Sequence, residues 1–110
     1  MTTHELINDL RFYVHKYAKW GNLPLKVDFG AYSNLLVTGY VPTPESHVVF
    51  ALYDSAHAQP LPTASAIEAL RLYEDKSFRV YVEVAKDDVR EVIGVAVDTP
   101  QKTLLLQVAA

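Results

Sequence analysis

The 110-residue chain has no cysteine. That excludes disulfide staples, thiolate nucleophiles and cysteine metal sites. Long apolar runs are also missing, and nothing approaches the roughly 20 residues that a membrane-spanning helix needs. The opening Met1-Thr2-Thr3-His4-Glu5 lacks the basic start and apolar run of a signal peptide. These absences predict a cytoplasmic protein without membrane contact. Charge of one sign is scarce as well. The net charge is −3, divided as +1 over residues 1–30, −2 over 31–62 and −2 over 63–110. No segment is basic enough to predict a nucleic-acid footprint. The four glycines, Gly21, Gly30, Gly39 and Gly94, do not cluster into a phosphate-cradling loop. The serines stand in no nucleophile-elbow context.

Half of the residues are hydrophobic and 21% are charged, which suits a single domain over residues 1–110 with a real core. Thr3 to Trp20 reads as a helix. Leu6, Ile7, Leu10, Tyr13, Val14 and Tyr17 fall on one face, Thr2 and Glu5 have capping-box spacing, and Gly21 is placed to end it. Strands follow at Leu25–Phe29, Leu35–Val41 and Val48–Tyr53. The second carries Gly39 as a bulge candidate, and the third is apolar enough to be central and covered on both faces. After the linker 55–62, Thr63 or Ser65 caps a second helix running to about Lys76, with Ser65 and Glu68 again at capping-box spacing. Phe78–Val84 alternates as a half-buried strand, and Val89–Val97 and Thr103–Val108 complete the set.

The order is helix, three strands, helix, three strands, and short segments of the halves match. Ile7, Leu10, Arg11 and Tyr13 recur as Ile67, Leu70, Arg71 and Tyr73. Val41-Pro42-Thr43-Pro44 is echoed by Val97-Asp98-Thr99-Pro100, each before three apolar residues. The expectation is an α+β fold of two αβββ units, residues 1–54 and 63–110. They would share a mainly antiparallel sheet with the helices packed on it.

No catalytic residue set, metal cluster or cofactor motif is legible. His47, Asp54 and His57 form the one grouping with acid–base composition, and they mark a candidate pocket between the units for a small molecule or nucleotide. The acidic group Asp87, Asp88, Glu91 and Asp98 falls in predicted turns, where aspartate serves turn geometry. Aromatics are more informative. Phe12 falls on the polar side of the first helix with Lys16 and Lys19, and Trp20 ends it. Tyr81 points away from the inward set of its strand, beside Arg79. Aromatic and arginine side chains are common interface anchors. Phe12, Lys16, Lys19, Trp20, Arg79 and Tyr81 are therefore candidate partner-binding residues.

The stretch Thr3-His4-Glu5-Leu6-Ile7-Asn8-Asp9-Leu10, then Leu23-Pro24-Leu25-Lys26-Val27, resembles the start of many small phage and prophage proteins. The ending Glu91–Val97 followed by Leu104-Leu105-Leu106 is similar to their last hairpin. About a third of the chain is covered, the motifs are generic, and the two ends stand unusually far apart here. The resemblance implies an accessory protein that binds and modulates a host protein, a defence protein for instance, in the host cytoplasm. It transfers no site residue. Two further readings are a small-molecule domain using the pocket above, and a structural component, self-associating or built into a larger assembly by an exposed sheet edge.

Overall fold

The computed structural model describes residues 1–29, 32–43, 47–52, 60–76 and 78–110. Its elements are α1 (Thr3–Lys16), β1 (Lys26–Phe29), β2 (Tyr32–Thr43), β3 (His47–Leu52), α2 (Thr63–Arg71), β4 (Arg79–Ala85), β5 (Asp88–Asp98) and β6 (Thr103–Val108). The class is α+β.

α1 starts where its capping chemistry places it. The Thr2 hydroxyl accepts from the Glu5 amide, and the Glu5 carboxylate accepts from the Thr2 amide at 3.1 Å. The helix ends earlier than periodicity suggests. Tyr17 leaves helical geometry at φ −127°, and Ala18–Asn22 continue as a tight 3₁₀ turn. α2 is shorter than expected too. It starts behind Pro62 with no side-chain cap, so the predicted Ser65–Glu68 box does not form. Ser65 lies inside the helix, and Glu68 accepts instead from Arg71 at 3.1 Å. A 3₁₀ turn over Glu74–Lys76 covers the rest of the expected helix.

The six strands close into a barrel in chain order. The expectation of a mainly antiparallel sheet is overturned. β1–β2, β2–β3, β4–β5 and β5–β6 are antiparallel, but β3–β4 and β1–β6 are parallel. The reason is topological. β3 and β4 are joined through α2, the crossover that parallel neighbours require. Strand direction then alternates around the ring so that β6 meets β1 in the same sense. The long strands β2 and β5 each serve two neighbours in succession. β2 passes from β1 to β3 between Leu36 and Val37, and β5 passes from β4 to β6 between Glu91 and Val92; a register shift follows directly in each, between Val37 and Gly39 and between Val92 and Gly94. Gly39 thus stands at the irregularity its position suggested.

One apolar cluster fills the barrel and runs into the helices. Val27, Val37, Val48, Phe50, Val80, Val82, Val92, Leu104 and Leu106 point inward and meet Leu6, Ile7 and Leu10 of α1 and Ala66, Ile67 and Leu70 of α2. β3 is not covered on both faces. Val48 and Phe50 are buried, whereas His47 and Val49, at the alternate positions, are only half-buried.

The halves hold each other through matching bonds. The Thr3 amide donates to the Phe78 carbonyl at 2.7 Å, and the Thr63 amide donates to the Leu23 carbonyl at 3.0 Å. The Val80 amide donates to the Met1 carbonyl, and the Leu25 amide to the Leu61 carbonyl, both at 3.0 Å. The buried Thr3 hydroxyl donates to the Tyr73 carbonyl at 2.8 Å, and the buried Thr63 hydroxyl to the Leu23 carbonyl at 3.2 Å. Both acceptor carbonyls keep a second backbone donor. Thr3→Val and Thr63→Val should therefore each cost only about 1 kcal/mol. Urea denaturation checks this, and unchanged midpoints in both variants would contradict the role of these hydroxyls.

The capping box also carries a pH signature. Donation from the Thr2 amide, and secondarily from its hydroxyl, holds the Glu5 carboxyl below its usual value. A depressed folded-state pKa stabilises above the unfolded value and is lost as pH falls through the folded value. Glu5→Gln keeps an acceptor but not the charge. Its stability deficit should be present at neutral pH and close in acid, as followed by thermal melts across a pH series.

Candidate functional site

β4 lies in the middle of three strands, β3, β4 and β5, whose outward side chains among the described residues are half-buried or exposed. Its alternation sends Val80 and Val82 inward and Arg79, Tyr81 and Glu83 outward. The parallel neighbour β3 sets His47 beside Arg79 and Val49 beside Tyr81. On the other side β5 sets Glu91 beside Tyr81 and Val89 beside Glu83. Tyr81 is thus at the centre of an outward patch. The His47 ring meets it edge-on at 4.9 Å. Arg79 Nη1 donates to Glu91 Oε1 at 3.5 Å, and Glu91 Oε2 accepts from the terminal amine of Met1 at 3.1 Å. Ile93 and Val89, on the same side of β5, are large hydrophobics that remain exposed.

The candidate residues separate into two surfaces and a core position. Arg79 and Tyr81 belong to the β4 patch, together with His47. Phe12, Lys16 and Lys19 belong to the helical side. Phe12 is 61% exposed and makes an edge contact with Tyr13 at 5.3 Å. Lys16 Nζ sits 5.4 Å from the Tyr17 ring centroid. Trp20 is not on either surface. It is 8% exposed and stacks on Tyr17 at 4.0 Å, because the 3₁₀ turn after α1 folds it back onto the core. Its role as a partner anchor is corrected to that of a packing residue.

Asp54 and His57 lie outside the described residues. His47, the third member of that grouping, faces outward on β3. Among the described residues the barrel interior is occupied by Phe50, Leu104 and Leu106, each 0% exposed. Among the described residues no three histidine, aspartate or glutamate side chains converge as metal ligands. Among the described residues no helix is long and apolar enough to cross a membrane.

Two features escaped the sequence reading. Val49, Glu91 and Ile93 surround Tyr81 only because of the β3–β4–β5 register, and periodicity within one strand carries no sign of that. A cleft of about 410 Å³ also lies beside α2, lined by Tyr40, Leu61, Ala64, Ser65, Glu68 and Leu72 with Ala69. The run of small residues at Ala64, Ser65 and Ala66 was its available signal. No family model matches the chain, and neither curated proteins nor solved structures give a match to it.

These placements separate packing from surface roles. Trp20→Ala should cost about 3–5 kcal/mol in stability, while Phe12→Ala should stay within about 0.5 kcal/mol. Chemical denaturation of the two variants compares them directly, and equal costs would contradict the assignment.

Proposed function

We propose that the chain is a non-catalytic protein-binding module that docks a partner on the outer face of β3, β4 and β5, with Tyr81 at the centre. Its scaffold, in this reading, is two αβββ units fused into one chain. The matched bonds around Thr3 and Thr63 support the duplication, as do the two parallel pairings and the register shifts before Gly39 and Gly94.

The observation that carries the function is a difference between equivalent places. In the β3–β4 seam the central outward pair is Val49 with Tyr81, flanked by His47 and Arg79. In the β1–β6 seam the corresponding pair is Lys26 with Leu105, and there Leu105 is buried. A scaffold held the same way twice has no structural need for an outward tyrosine on one side only. The tyrosine presents a large flat area with a polar tip, beside a cation, a carboxylate and exposed Ile93. That mixture is what central interface residues offer.

The resemblance to phage and prophage accessory proteins supports a host protein as the partner, a defence protein in its sharpest form, met in the cytoplasm.

Affinity capture from host lysate tests the reading. A protein retained by the wild-type chain and by a Lys102→Ala control should be lost with Tyr81→Ala, with affinity reduced roughly 30-fold or more. Arg79→Ala should weaken it less, since that side chain is largely exposed at the rim. Equal retention by wild type and Tyr81→Ala would overturn the proposed face. The thermal stability of Tyr81→Ala should stay close to wild type, which separates lost binding from lost folding.

A further inference from the structure

We draw no further inference here: the strongest candidate, the shallow apolar cleft beside α2 lined by Tyr40, Leu61, Ala64 and Leu72, carries nothing, because nothing in the structure shows what covers it and its rim carboxylate Glu68 is already ion-paired with Arg71.

Discussion

Everything in this structure depends on how the barrel closes. Two parallel seams do it, β3 with β4 and β6 with β1, and each joins the last strand of one half to the first strand of the other. Neither half could satisfy these backbone groups alone. Unpaired amides and carbonyls at both seams would be costly wherever they are shielded from water. The segments leading into the helices extend the same dependence, because Thr3 bonds to Phe78 while Thr63 bonds to Leu23. Each helix is thereby anchored to the strand that begins the opposite half, and the apolar faces of both helices are held over one common core.

Closure explains why the core is so fully used. A six-stranded barrel is narrow, and its interior takes side chains and no solvent channel. Phe50 and Leu106, both 0% exposed, are set by the seams beside Val82 and Val27 respectively. The far end of β5 shows the same economy with a charged side chain. Arg90 lies 4.4 Å from the Phe29 ring centroid, donates to Asp88 at 3.2 Å and reaches the Ala109 carbonyl at 3.3 Å. A half-buried guanidinium is tolerable because a ring face, a carboxylate and a carbonyl all share its charge.

The parts legible in the sequence are those governed by local chemistry. The Thr2–Glu5 cap, the inward set of β4 and the bulge at Gly39 each follow from a few neighbouring residues, and the structure holds all three. The parts that were not legible depend on partners distant in the chain. Trp20 looked like an exposed helix end, but a 3₁₀ turn stacks it on Tyr17. Ser65 and Glu68 had cap spacing, but Pro62 starts α2 earlier and puts Ser65 inside it. The apolar run of β3 suggested burial on both faces, yet Val49, between the buried Val48 and Phe50, is only half-buried. Strand direction was the largest omission. Nothing within β3 or β4 announces that they run parallel, since that follows from the α2 crossover and from closure. Tyr81 and Arg79 could be picked out as outward residues of one strand, but their surroundings come from that register.

Closure also decides where recognition can occur. Among the described residues, Phe50, Leu104 and Leu106 fill the interior. What remains is the outside of the sheet and the outside of the helices, where side chains escape the constraints of packing. Inside, Leu6, Ile7, Ala66 and Ile67 are all buried, and packing leaves them little freedom. An outer position such as Tyr81 is constrained only by what it meets, which is the physical ground for placing the proposed partner surface there.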